Sequence, residues 1–199
     1  MNNLIQDNKQ KDFWVWIDPS NGFVRHSVEV LGRFSSNLDF EENESNLMFI
    51  PNPKFKGSVS PFQHSMTNYY LADYHLEINR EHYFKDHPSR LNSIFLLPSE
   101  EEAQKYKRHH MDHVANRILK KVKTIGNYQY SCHDSSWIDF MRLSDSLDDE
   151  TIENITNSYW NGVNVSDCEL KAKGNSWNQE PIIEVLYLGQ VEFYDKKLS

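Results

Sequence analysis

Strand-like and helix-like periodicities interleave along this chain without a regular βαβ rhythm, and that pattern restricts the fold more than any other feature. A doubly wound parallel sheet needs a crossover helix between successive strands, so the irregular alternation predicts the α+β class. Short aromatic and β-branched runs at 13–17, 92–97, 127–132, 137–143, 182–186 and 190–194 read as strands. Residues 23–31 alternate in the same way, after the turn chemistry of Asp18-Pro19-Ser20-Asn21-Gly22. Three helices are expected. Residues 65–84 align Met66, Tyr70, Tyr74 and Ile78 on one stripe, and 100–123 align Ala103, Tyr106, His110, Val114, Ile118 and Val122. Ser99 and Glu102 form a capping box before the second of these. Residues 147–160 carry Ile152, Ile155 and Tyr159, with Ser146 and Asp149 together as the cap. Residues 35–61 read as a long irregular stretch, with a brief apolar run at 47–50.

The chain's 199 residues suit one domain, here 13–199, behind a polar, disordered lead at 1–12. Only 38% of residues are hydrophobic, but 13% are aromatic, and large rings bury enough area to build a core without a staple. Two cysteines, Cys132 and Cys168, are too few for a disulfide framework or a four-thiolate zinc site. No apolar signal core and no run approaching ~18 apolar residues is present, so a cytoplasmic protein is expected, of the producer or of a targeted host cell. The net charge of −8 argues against sequence-independent duplex binding. It is unevenly spread: residues 104–123 hold seven Lys/Arg against one Asp, so a helix from Lys105 to Lys123 would offer a polyanion a cationic face.

Several common sites are missing. There is no phosphate-binding glycine loop, Gly-x-Ser-x-Gly elbow, His-Glu-x-x-His or dinucleotide fingerprint. With 7 glycines, phosphate would fall to Arg or Lys rather than to backbone amides. His109 and His113 stand i, i+4, with Asp112 close by, which is a metal-like spacing; Lys105, Arg117 and Lys120 crowd the same side and repel a cation, so no metal is expected. Cys132 and His133 are adjacent, on opposite faces of a strand, and do not make a thiol–imidazole pair.

Two segments stand out. One runs Asp86-His87-Pro88-Ser89-Arg90-Leu91-Asn92-Ser93-Ile94-Phe95, a turn feeding a strand that carries Ser93. The other is Glu184-Val185-Leu186-Tyr187-Leu188-Gly189-Gln190-Val191-Glu192-Phe193, where a carboxylate interrupts an apolar strand. Buried without a partner it would cost several kcal/mol, so Glu184 either lines a cleft or faces water from an edge strand. In these two segments, with Ala103 and Tyr106 after the first and Tyr159-Trp160-Asn161-Gly162 before the second, the chain resembles the ADP-ribosyltransferase superfamily, in a bacterial or phage branch. The likeness extends loosely over residues 65–194.

The resemblance implies a split β-sheet core flanked by helices, NAD as co-substrate and a mono-ADP-ribosyltransferase acting on a macromolecular acceptor, protein or nucleic acid. By resemblance Glu184 stabilises the oxocarbenium-like transition state, the charge problem of glycoside hydrolysis, and Ser93 orients Glu184 or the ribose. Arg90 has the planar fork that suits a pyrophosphate. Trp16 stands where an early strand of the superfamily carries Arg or His, so Arg25 and His26 are substitutes for the adenosine side. Tyr83 and Phe95 would stack nicotinamide. The alternative is a non-enzymatic interaction or inhibitor protein of phage or effector type that keeps the fold and binds a partner through its charged surfaces.

Overall fold

The computed structural model describes residues 3–36, 70–143, 147–172 and 174–198. The stretch at 37–61, Met66 and the Ser146 cap fall outside these. Eight strands are described: β1 (Leu4–Asp7), β2 (Asp12–Ile17), β3 (Arg33–Ser35), β4 (Ile94–Leu96), β5 (Ile118–Asp134), β6 (Leu170–Ala172), β7 (Asn175–Trp177) and β8 (Ile183–Phe193). The described α-helices are α1 (Gly22–His26), α2 (Leu71–Tyr83), α3 (Glu100–His109), α4 (Met111–Val114), α5 (Ser136–Leu143) and α6 (Asp149–Trp160). The class is α+β, in one domain.

β5 and β8 form the antiparallel spine, and every other strand of the main sheet pairs with one of them. β1 and β2 share the free edge of β5, while β3 and β4 share that of β8. Trp14 and Leu97 exchange backbone bonds of 2.9 and 2.8 Å, joining β2 to the strand end after β4. The ring β2–β5–β8–β4 is thereby closed. A register shift between Ile125 and Gln129 kinks β5 opposite Gly189, whose φ is +138°. A Cβ on Gly189 would sit 2.9 Å from that of Tyr128, so a side chain is excluded where the two strands bend together.

Strand alternation divides the core in two. Phe13, Val15 and Ile17 meet Leu96, Val122, Tyr130, Val185 and Tyr187 inside the ring. Leu186, on the other face of β8, packs on a second core from α2, α5 and α6: Ala72, Leu76, Trp137, Phe140, Ile155, Tyr159 and Trp160. Trp16 faces outward, and its indole Nε1 donates to Ala103 O at 3.1 Å, docking α3 on the ring.

Four expectations need correction. The lead at 1–12 is not without structure, because Leu4–Asp7 pairs with Tyr128–Ser131 and Asn3 Nδ2 donates to Cys132 O and Trp160 O at 3.0 and 3.2 Å. Residues 23–31 are not a strand: Asn21 Oδ1 accepts from Phe23 N and Val24 N and caps α1, which continues as a π-helical turn, Ser27–Leu31. Residues 137–143 are helix α5, not a strand. The long helix at 100–123 stops at His109, restarts for one turn and gives way to β5 at Ile118. Its cations do not form one face. Lys120 pairs with Asp195, Lys121 with Asp12 and Lys123 with Glu192, all along β5, and Lys105 pairs with Glu102. Among the described residues, no helix is long and apolar enough to cross a membrane.

Candidate functional site

The site grows from the turn between α2 and β4. Glu77 on α2 is buried; its Oε1 accepts from Arg80 and its Oε2 from Ser89 Oγ at 3.0 Å. Ser89 Oγ in turn accepts from Leu91 N, and Ser89 O accepts from Ser93 Oγ at 2.6 Å. These bonds fix the Pro88-Ser89-Arg90 turn against α2 and aim the Arg90 side chain inward.

Arg90 is the hub of a buried polar cluster. Its Nε donates to Asp73 Oδ1 at 2.9 Å, and its Nη1 donates to Tyr159 OH at 2.6 Å and to Glu184 Oε1. Tyr159 OH donates to the same Glu184 oxygen at 2.7 Å. The guanidinium also lies over the Phe95 ring, 4.9 Å from its centroid. Burial alone would pull the Arg90 pKa down; Glu184, Tyr159 and Asp73 more than reverse this and hold the group charged. Burial pushes the Tyr159 phenol well above its ordinary value, reinforced by Glu184, so it stays protonated as the donor. Glu184 is 6% exposed. Its Oε1 takes both of these bonds and its Oε2 takes neither. Two carboxylates against one guanidinium give the cluster a formal charge of −1.

Of the residues singled out from the sequence, Glu184, Arg90 and Phe95 come together. Ser93 sits one residue before β4 and braces the turn through Ser89 O rather than contacting Glu184. Arg90 orients the carboxylate; its Nε and Nη1 are committed within the cluster rather than open to a pyrophosphate. Arg25 donates to Pro19 O from α1, and His26 is exposed. Val24 and Val28, around them, pack on the ring core, whereas Glu184 belongs to the opposite face of β8. The two sets are therefore separated by the sheet. Tyr83 is 65% exposed at the end of α2, with the His82 ring beside it. Of the cluster's other members, Asp73 carries no motif, while Tyr159 stands in the Tyr159-Trp160-Asn161-Gly162 run and on the buried stripe of α6, neither of which marks it as a partner of Glu184.

Beside the cluster, on the same sheet face, His133 is 1% exposed and stacks on Tyr159 at 4.4 Å. Its Nδ1–H donates to Tyr159 O at 2.8 Å and its Nε2 accepts from Ser131 Oγ at 2.7 Å. Both partners are inside the protein, so this pair holds α6 on β5 and is not a nucleophile–base pair open to substrate. Burial lowers the His133 pKa to about 3. Below pH 6.5 the unfolded chain takes up a proton that the folded chain refuses, so stability falls with pH across that window. The slope is up to about 1.4 kcal/mol per pH unit. Urea midpoints between pH 7 and 5 should show it, and His133→Gln should remove this component of the slope.

His109 and His113, the metal-like pair, are split by the break at His110, and His113 is bonded by Tyr106 OH and Arg117 Nη2, both at 2.9 Å. Among the described residues no group of three His, Cys, Asp or Glu is placed to hold a metal ion.

No curated protein matches the sequence. A family model covers residues 7–192, spanning both strand edges, the Arg90 turn and Glu184. The chain therefore belongs to the family described as protein of unknown function DUF2441.

Proposed function

We propose that the chain is a mono-ADP-ribosyltransferase that moves ADP-ribose from NAD to a macromolecular acceptor, with Glu184 stabilising the oxocarbenium-like transition state. The observation that carries this reading is the state of Glu184. One carboxylate oxygen, Oε1, is clamped by both Arg90 and Tyr159, and the other takes neither bond. An oriented carboxylate with one oxygen outside that clamp, in a cluster of net charge −1, favours positive charge developing next to it. It does so without reorganisation at the moment of reaction. The two segments that resemble the superfamily are neighbouring strands, with Ile94 opposite Tyr187 and Leu96 opposite Val185, which also supports the reading. A split-sheet core of the superfamily's kind is part of the same proposal.

Purified protein incubated with labelled NAD and a cell extract is expected to release nicotinamide and to label a macromolecule. No NAD consumption under any condition would overturn the reading. The second reading, a non-enzymatic interaction protein, is favoured by the near-complete burial of Glu184. It predicts no NAD binding by calorimetry.

A further inference from the structure

The turn between α2 and β4 carries a buried polar atom that the fold leaves unsatisfied. His87 Nδ1 is out of contact with water and has no hydrogen-bond partner among the described residues. The ring is wedged between aromatics: Phe84 and Trp160 stand roughly perpendicular to it, with centroids 5.5 and 5.9 Å away. Its other nitrogen, Nε2, faces Asn3 Oδ1 at 3.0 Å. The Asn3 amide is oriented by its own nitrogen, which donates to Cys132 O at 3.0 Å and to Trp160 O at 3.2 Å. The atom turned to His87 is therefore the amide oxygen, so Nε2 carries the proton and Nδ1 the lone pair.

Asn3 thus joins three elements: β5 through Cys132, α6 through Trp160 and the α2–β4 turn through His87. Gly162 makes room for it, since a Cβ there would sit 3.1 Å from Asn3 Nδ2. β1 follows directly and has little apolar surface to hold it. It pairs with β5 along one edge, with Leu4 and Asp7 half-buried and Ile5 and Gln6 exposed. An element with so few apolar contacts opens well below the free energy of global unfolding.

We propose that His87 and Asn3 are an acid-released latch: a proton taken up at His87 Nδ1 undoes the bond to Asn3 and frees β1 from the edge of β5. That proton creates an ionised N–H without an acceptor, in a pocket walled by Phe84 and Trp160. The charge strengthens the bond from Nε2, but the unpaired ionised donor costs more, and water satisfies it only once the ring turns out. Three charged or titratable groups face the ring among the described residues. Asp86, beside it in the turn, favours the charge, and Arg80, whose Nη1 donates to His87 O at 3.3 Å, opposes it. His133, with ring centroids 6.0 Å away, has its own pKa at about 3 and stays neutral. Burial outweighs Asp86 and holds the His87 pKa below its ordinary 6.5. Below pH 6.5 the turned-out ring takes up a proton that the latched ring refuses. The open form therefore gains up to about tenfold per pH unit, until the pH reaches the latched ring's own pKa. Gln129 Nε2 donates to Asp86 O, a tie with no titrating group, so the turn stays on β5 when the latch opens.

The test needs no substrate and does not depend on the transferase reading. Backbone hydrogen exchange of β1, corrected for intrinsic rates, is followed on the full chain from pH 7.5 to 5. Protection of β1 should fall below pH 6.5, by up to about tenfold per pH unit, in wild type and in His133→Gln. His87→Gln keeps a donor for Asn3 Oδ1 but does not titrate, and should flatten this dependence. In wild type, NMR of the Asn3 side-chain amide reads the same event without a variant, and its signals should move with the His87 titration. Constant β1 protection over this range, or an Asn3 amide indifferent to the His87 titration, overturns the latch. So does a slope that survives His87→Gln, or one that vanishes in His133→Gln.

Discussion

Glu184→Gln is expected to reduce ADP-ribosyl transfer by on the order of 10³-fold, while the chain still folds. The amide has the size of the carboxylate and retains an oxygen for Tyr159 OH and Arg90 Nη1, so the cluster's shape survives. What it loses is charge, and the cluster goes from net −1 to neutral beside a transition state that is becoming positive. The same change removes one partner of a buried ion pair. That loss costs about 3–5 kcal/mol when the remaining charge is left alone. Here Asp73 continues to pair with Arg90 through Nε at 2.9 Å, so the stability loss should be below that range. Nicotinamide release and the urea midpoint are therefore measured on the same preparation. A folded Glu184→Gln variant with wild-type turnover would remove Glu184 from the chemistry and leave it a structural ion pair.

The second large effect is in the backbone accounting around Asp134. This carboxylate is 1% exposed and accepts three backbone N–H groups: Ser136 N at 3.0 Å, Ile182 N at 2.9 Å and Val165 N at 2.8 Å. It ties the end of β5 to the start of α5, to the entry of β8 and to the turn after α6. Hydrogen bonds to a charged group are worth about 1.5–3 kcal/mol each, and a buried donor left unpaired is penalised in full. Asp134→Ala should therefore lower unfolding free energy by about 4 kcal/mol or more, read from urea denaturation. Asp134→Asn keeps one acceptor oxygen and should cost roughly half as much. A loss under about 1 kcal/mol for the alanine variant would mean that water replaces all three bonds.

How far the sequence was legible depends on which period the apolar residues could share. Val114, Ile118 and Val122 recur every four residues, a spacing that suits a helix and equally a strand of period two. The reading as helix fails because Val122 and Thr124 are buried while Lys121 and Lys123 face water, which is strand alternation. In α5 the buried apolar residues are Trp137, Ile138, Phe140 and Met141, an i, i+1, i+3, i+4 pattern that a short aromatic run conceals. α1 was hidden by its own cap, since an Asn followed by Gly looks like a turn until its side chain is seen bonding two backbone amides. β1 carries no alternating apolar pattern, since Leu4 and Ile5 are adjacent and Gln6 and Asp7 follow, and it is held through its backbone on one edge. Glu184 and Arg90 were legible as a carboxylate in an apolar strand and an arginine in a tight turn. Their mutual pairing was not, because Arg90 and Glu184 are brought together only by β4 lying against β8.

The closed ring also dictates an order of events during synthesis. Phe13 finds its partner in Val122 and Leu4 in Ser131, and the strand carrying both partners is sealed on its other edge by β8, near the chain's far end. The N-terminal strands thus leave the ribosome long before anything exists to pair with them. They emerge as unmatched β edges, and the aromatic interior of the ring cannot assemble until β8 has been made. Contacts this distant in sequence slow folding, because the loop must close before any pairing repays it.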